Sequence, residues 1–441
     1  MNSLSGFRDY LPQDEIARQE LIDKARAVFE LYGFSPLQTP AMESPETLAG
    51  KYGEEGDKLI FDVMRRGTEL SEKFKEVAAK NLSDDKLKIE LKNLSDMSLR
   101  YDLTVPLARV IAQYRNEISF PFKRYQIAPV WRAESPQKGR YREFYQCDFD
   151  TVGSKDMSAD AEIMQVINSL MEAFELNDFT IRINNRKILD GIVAKSGIPA
   201  DKKFDAFRIL DKIEKIGADK VKDELKELGV SDEQSAILLE GNDLESLKEK
   251  LAGTIGAEGL AEIEQVMDLV SGTIKKEVVK FDPTVVRGLD YYTGNVFEVT
   301  LNDKPEAGAI MGGGRFDKLI GSFIGQDIPA VGCSIGFDRL FSTVYGETEK
   351  KSPADYFVAI MTPEVRKYAF ESAKILRENF KKVYLYPKEA SIGDQLSFAE
   401  KMGFEKVVII GEDEAKNQSV TIKDLETREQ KTVPLSDLQN Q

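Results

Sequence analysis

The sequence predicts an α+β chain in three parts: a sheet-based domain, a helical insertion within it, and a small α/β domain at the end. Three observations predict this. Strand patterns of period two flank Arg132 and return near residue 285. Between them, residues 197–276 turn Lys/Glu-rich and helical in pattern, broken by Gly217, Gly229, Gly241, Gly253 and Gly259, as an insertion between two parts of one sheet domain would be. After Pro353, strand and helix patterns alternate, the mark of a small α/β domain with a mainly parallel sheet.

In chain order, Leu21, Ala25, Val28, Phe29 and Tyr32 recur at helical spacing, so 14–32 is an amphipathic helix stopped at Gly33. Residues 36–40 form an extended strand, 54–62 a loop that Gly53 and Gly56 permit, and 69–96 a charged helix and connector. The stretch 98–106 reads as a short strand running into a Pro-capped helix, 107–115. Asp102 and Thr104 then share one strand face, where they either hold an ammonium group or cap the strand end. Tyr125, Ile127 and Pro129 alternate along a strand over 122–131; helix 159–174 carries an apolar stripe; 179–184 is a strand and 186–195 a helix. Past the insertion, Arg287 falls in a buried-looking strand, where a guanidinium needs an anion from the protein or from a ligand. Gly312, Gly313 and Gly314 either let a backbone approach a ligand closely or make a tight strand crossing. Residues 331–340 run from strand into helix, with Arg339 in the helix's first turn, where a surface charge is the plainer account. After polar residues 346–353 come strands at 356–361, 383–386, 406–410, 419–425 and 430–434, with helices at 365–380 and 394–402.

The stretch 132–150 is the richest. It turns through Pro136 and Gly139, so Arg132, Arg140 and Arg142 aim at one polyanion while Gln146, Cys147, Asp148 and Asp150 lie along the returning strand. The arginines alone would fit a charged surface hairpin. Phe144, Gln146, Asp148 and Asp150, however, alternate on one face, and polar groups at inward positions need partners that a bound ligand provides.

Composition narrows the chemistry. The chain has 441 residues, 41% hydrophobic and 31% charged, so it can bury two or three cores. A net charge of −15 argues against bulk electrostatic binding of nucleic acid, and leaves room for local basic patches. No apolar run approaches the roughly 20 residues of a membrane span, and the N-terminus lacks the apolar core of a signal peptide. With no histidine, and with Cys147 and Cys333 in no CxxC pattern, imidazole acid/base catalysis and the usual zinc sites are out of reach. Neither GxxxxGK[ST] nor a dinucleotide fingerprint occurs. The chemistry must run on arginines, carboxylates, backbone groups or a metal held by oxygen.

Three separated segments hold together as a resemblance. Residues 132–150 resemble motif 2 of the class II aminoacyl-tRNA synthetases, 331–340 their motif 3, and the helix before 36–40 their motif 1. Arg287-Gly-Leu-Asp-Tyr-Tyr292 and the glycines at 312–314 resemble the two signature peptides of the histidyl-tRNA synthetases. The resemblance spans nearly the whole chain in family order. It implies a mainly antiparallel catalytic sheet (1–196 and 277–345) around a helical insertion (197–276), then a linker (346–353) and an anticodon-binding domain (354–441). It further implies activation of L-histidine with ATP and Mg²⁺, then transfer to the 3′ end of tRNA-His by a cytoplasmic homodimer without membrane contact or a dedicated protein metal site. Carried over by position, Arg132 touches the α-phosphate and the substrate carboxylate, and Arg287, the family's catalytic arginine, bridges the same two groups. Glu134 and Phe144 hold the adenine, Arg140 the γ-phosphate end of a bent ATP, and Arg339 lies across the adenine. Asp102, Thr104 and Gln146 take the ammonium, while Asp150, Tyr291 and Tyr292 line the imidazole pocket. The competing reading is a catalytically silent paralogue that regulates histidine biosynthesis. Such paralogues usually lose the anticodon domain and the RGLDYY peptide, and this chain has both.

Overall fold

The computed structural model describes residues 3–81, 94–137, 139–210, 212–239, 243–286, 291–344, 351–379 and 381–440. Compact packing divides the chain into two units, Met1–Arg8 with Ile22–Val344 and Asp9–Leu21 with Tyr345–Gln441. The first helix, Pro12–Leu31, is counted partly with each.

Strands in the first unit are β1 (Ser35–Pro36), β2 (Met42–Glu43), β3 (Asp62–Met64), β4 (Ser95–Leu99), β5 (Phe122–Trp131), β6 (Glu143–Val152), β7 (Phe179–Asn185), β8 (Val279–Phe281), β9 (Asn295–Leu301), β10 (Ala309–Arg315) and β11 (Ala330–Gly336). Eight of them form one sheet in the order β1-β5-β6-β11-β10-β9-β7-β8, while β2-β4-β3 make a small second sheet. The five inner pairings are antiparallel, and only the edge pairs β1/β5 and β7/β8 are parallel.

Antiparallel strands with one covered face alternate apolar and polar residues, and this sheet does so. On its apolar face Phe149 lies with its ring 5.1 Å from that of Phe29 and 6.0 Å from that of Phe34. Helix Met157–Ala173 packs on β11 and buries Ile163, Val166, Ile167, Leu170 and Met171. Gly313 marks how tightly β10 and β11 cross, because a Cβ there would sit 2.0 Å from the Gly332 carbonyl oxygen.

One element of this unit differs from the sequence expectation. Asp102 and Thr104 do not lie on a strand: β4 ends at Leu99, and Thr104 opens helix Thr104–Tyr114. Pro106 sits inside that first turn, where a missing N–H costs nothing because first-turn N–H groups have no intrahelical acceptor. Asp102 Oδ1 instead accepts from the Val105 backbone N–H at 3.1 Å and secures the turn. In the insertion, short helices run from Lys203–Leu210 to Leu244–Lys250 among the described residues, and the last helix, Ile255–Val270, packs into the core against Arg186–Ser196. Their backbones approach so closely at Gly191 and Gly256 that a Cβ on Gly191 would fall 2.8 Å from the Gly256 Cα.

The second unit has its own sheet of β12 (Tyr356–Ile360), β13 (Val383–Leu385), β14 (Lys406–Ile410), β15 (Ser419–Asp424) and β16 (Gln430–Pro434), ordered β13-β12-β14-β15-β16. The first three are parallel, and the last two add on antiparallel. The sheet is therefore mixed rather than mainly parallel, since a link as short as 425–429 can close only an antiparallel hairpin. Rings of Phe357, Tyr384, Phe398 and Phe404 pack together under one face. Among the described residues no helix is long and apolar enough to cross a membrane.

Candidate active site

The polar face of the large sheet is a floor laid in rows. Arg124 of β5, Asp150 of β6, Gly332 of β11 and Gly314 of β10 stand opposite one another. The next row is Gln126, Asp148, Ser334 and Gly312, and the one after begins Ala128, Gln146, Gly336. Charged and amide side chains thus come from the two strands on one side. The strands beyond contribute glycines and one serine, which keep the floor low enough for a small molecule to rest on it. At Gly332 the approach is closest: a Cβ would meet Asp150 Oδ1 at 1.9 Å.

The side chains on this floor are buried, and among the described residues several of their polar atoms have no hydrogen bond, the Arg124 Nε and Nη1 donors included. Gln146 donates to Ser334 Oγ at 2.8 Å, but its Oε1 has no hydrogen bond. Asp148 Oδ1 has none either. Arg124, fully buried, places Nη2 2.7 Å from Asp150 Oδ2 as an ion pair, though the angle makes no hydrogen bond, and the same nitrogen donates to the Leu103 carbonyl. Among the described residues, Gln146 and Asp148 each carry a buried oxygen without a hydrogen bond, and Asp150 Oδ2 has only its ion pair with Arg124. Buried acceptors left so cost free energy, and the complement they call for is a ligand rich in N–H groups. Burial pushes the Asp148 carboxyl up to about 7 and that of Asp150 up to about 6; Arg124 opposes the shift, and nearby carboxylates add to it.

Asp102 stands beside this row, from the turn before helix Thr104–Tyr114. Its Oδ1 accepts from the Tyr52 hydroxyl at 2.9 Å, and its Oδ2 from the Tyr291 hydroxyl at 3.4 Å. Burial raises its carboxyl above the usual range, against the lowering effect of those donors. Thr104 lies at the start of the helix, within reach of Tyr291. The Tyr291 and Tyr292 rings lean together 4.9 Å apart. Asp102, Thr104, Tyr291 and the acceptor row thus surround one region of the floor.

A second group sits where β5 and β6 open into their loop. Arg132 donates to the Tyr101 carbonyl at 3.1 Å, and its guanidinium lies 4.3 Å from the Tyr101 ring centroid and 5.1 Å from that of Phe144. The two rings hold a planar cation in place without neutralising it. Arg140, on the loop, is 3.6 Å from Glu134 and nearly half exposed. Arg142 is structural in its contacts: its backbone N–H donates to Gly6, and its Nε to the Glu134 carbonyl rather than to a carboxylate. Arg339 occupies the first turn of helix Phe337–Val344 and donates to the Ala309 carbonyl at 2.8 Å, while its neighbour Asp338 accepts from the Tyr145 N–H. Arg287 lies outside the described residues.

Sequence reasoning did not single out Arg124, Tyr52 or Ser334, and it named Asp148 only as part of the strand face. A buried arginine in a strand was a signal at Arg124, the same one applied to Arg287, but its partner is 26 residues away.

Residues 62–340 match the family model for histidyl-tRNA synthetase, and 355–441 match that for an anticodon binding domain. A histidine–tRNA ligase of Christiangramia forsetii is 38% identical over 98% of this chain and 97% of its own length. One from Bacteroides fragilis is 40% identical over 98% and 97%. Among solved structures, the histidyl-tRNA synthetase of Nostoc sp. PCC 7120 superposes with a TM-score of 0.84 at 32% identity, covering 100% of this chain and 98% of its own.

Proposed function

The chain belongs to the histidyl-tRNA synthetase family and is a histidine–tRNA ligase, and on that premise we propose which of its residues carry the reaction. The row of unsatisfied acceptors on β6 supports a histidine site most directly. An α-ammonium brings three N–H groups and an imidazole at least one, a donor-rich ligand for an acceptor-rich floor. Gln146, with Asp102 and Thr104, takes the ammonium; Asp150, Tyr291 and Tyr292 line the ring pocket. A polar substrate chosen by hydrogen bonds needs no editing site, because a competitor without the ring N–H leaves a buried carboxylate unpaired.

Activation joins the substrate carboxylate to the α-phosphate of ATP. A carboxylate oxygen attacks phosphorus, the bond to the bridging oxygen breaks, and pyrophosphate leaves. No general base is needed, since the nucleophile is already ionised, and a chain without histidine is not handicapped. The difficulty is bringing one anion to another. Arg132, held by the Tyr101 and Phe144 rings, and Arg287 draw carboxylate and α-phosphate together and stabilise charge on the phosphorus. Phe144 stacks on the adenine with Glu134 beside it, Arg339 covers its other side, and Arg140 meets the γ-phosphate. Mg²⁺ accompanying ATP would supply charge neutralisation at the phosphates. Transfer to the 3′ end of tRNA-His follows, with the C-terminal unit binding the anticodon. The chain works as a cytoplasmic homodimer.

Histidine-dependent ATP–pyrophosphate exchange tests this reading, and its absence would sink it. Arg140→Ala should raise KM for ATP about tenfold, the loss of one charge-assisted hydrogen bond, with KM for histidine unchanged. Equal rises in both would show that Arg140 shapes the loop rather than meeting a phosphate.

A further inference from the structure

We propose that Asp148 is a third substrate-reading residue of β6, its Oδ1 accepting one N–H of the bound histidine beside the acceptors of Gln146 and Asp150. The inference rests on the histidine reading of this pocket and deepens it.

Asp148 stands at the middle of the inward strand face, flanked along the strand by Gln146 and Asp150. It is 2% exposed, and its Oδ1 has no donor among the described residues. None of the neighbouring donors reaches Oδ1 among the described residues. Gln126, directly across on β5, gives its amide to Gln38 at 2.8 Å and to Thr39 at 3.1 Å. On the other side, the Ser334 hydroxyl hydrogen-bonds the Asp148 carboxylate while accepting from Gln146. Arg124 turns Nη2 to Asp150 and Leu103, and its remaining nitrogens have no hydrogen bond among the described residues. Arg100, the other nearby cation, directs Nε to the Pro129 carbonyl and Nη1 to Thr39 and Pro40. A carboxylate with no purpose but packing would have drawn one of these groups to it, since an unpaired buried acceptor is costly. A substrate N–H is the donor that completes it.

The charges facing Asp148 are Arg124 on β5, Asp150 on its own strand, Asp102 from the turn before helix Thr104–Tyr114, and Arg100 just after β4. Burial, reinforced by Asp150, holds the proton on Asp148 toward neutral pH. Below that point the carboxyl keeps its proton and is a poorer acceptor; above it the carboxylate accepts fully. Affinity for histidine should therefore gain a component that rises between about pH 6 and 8.

Asp148→Asn, assayed by histidine-dependent exchange, tests this. The expected result is a rise of about tenfold in KM for histidine, KM for ATP within about twofold, an unchanged melting temperature, and loss of the rising component between pH 6 and 8. A histidine KM equal to that of the unmodified chain overturns the proposal. So do matched losses for both substrates with a lowered melting temperature, which would make Asp148 a packing residue. Exchange by the unmodified chain checks the parent reading separately: with exchange intact and the variant unaffected, only the role of Asp148 falls.

Discussion

Replacing Asp160 by alanine should destabilise the first unit by about 3 kcal/mol, toward the lower end of what removing one partner of a buried ion pair costs. Asp160 is wholly buried on helix Met157–Ala173 and pairs with the equally buried Arg315 at the end of β10. Asn295 donates to it as well, at 2.9 Å from β9. The carboxylate thereby ties one helix to two strands of the sheet that carries the site. Without it, Arg315 keeps Asp317 at 3.2 Å and the carbonyls of Ser154 at 2.9 Å and Asp156 at 3.4 Å, and the Asn295 amide loses an acceptor. Asp317, still paired with Arg315, keeps the loss at the low end. Denaturant unfolding of the full chain measures the effect, provided the transition of the first unit is followed on its own, because a two-unit chain need not unfold in one step. A loss under about 1 kcal/mol would mean that Asp317 takes over the pairing.

What could be read from the sequence divides along the range of the interactions. Strand β5 was legible because Tyr125, Ile127 and Pro129 declare a two-residue period within one short window. The inward face of β6 was legible for the same reason, since Gln146, Asp148 and Asp150 alternate without any knowledge of their neighbours. Asp102 and Thr104 were misplaced on a strand because Pro106 invites a helix start after itself, whereas the first helical turn tolerates proline. The partners that give the face its chemistry could not be read at all. Arg124 meets Asp150, and Ser334 meets Gln146 across 188 residues, only because β5 and β11 flank β6. Tyr52 reaches Asp102 from a turn whose sequence looks like plain surface. Local periodicity shows which side chains point inward, while the register of non-local strands decides what they meet.

The same non-local register makes a single methyl group damaging at Gly332. Gly332→Ala should lower kcat/KM for histidine in the exchange assay by more than about a hundredfold, the scale expected when catalytic geometry shifts by around an ångström. In sequence Gly332 is an unremarkable strand residue between Val331 and Cys333. Across the sheet it faces Asp150, and an added Cβ would lie 1.9 Å from Asp150 Oδ1, 2.5 Å from its Cγ and 2.8 Å from the Phe149 carbonyl oxygen. Backbone oxygen on one side leaves the strand little room to yield, so the carboxylate has to move. Arg124, whose ion pair with Asp150 is its only one among the described residues, cannot follow without exposing its own buried charge. The loss should therefore fall on histidine, with KM for ATP changing less than about threefold, because Arg132, Phe144 and Arg140 lie at the other end of β6. Unchanged histidine kinetics in this variant would mean that the Asp150 carboxylate does not read the substrate, and the ring pocket would have to be sought elsewhere on the floor.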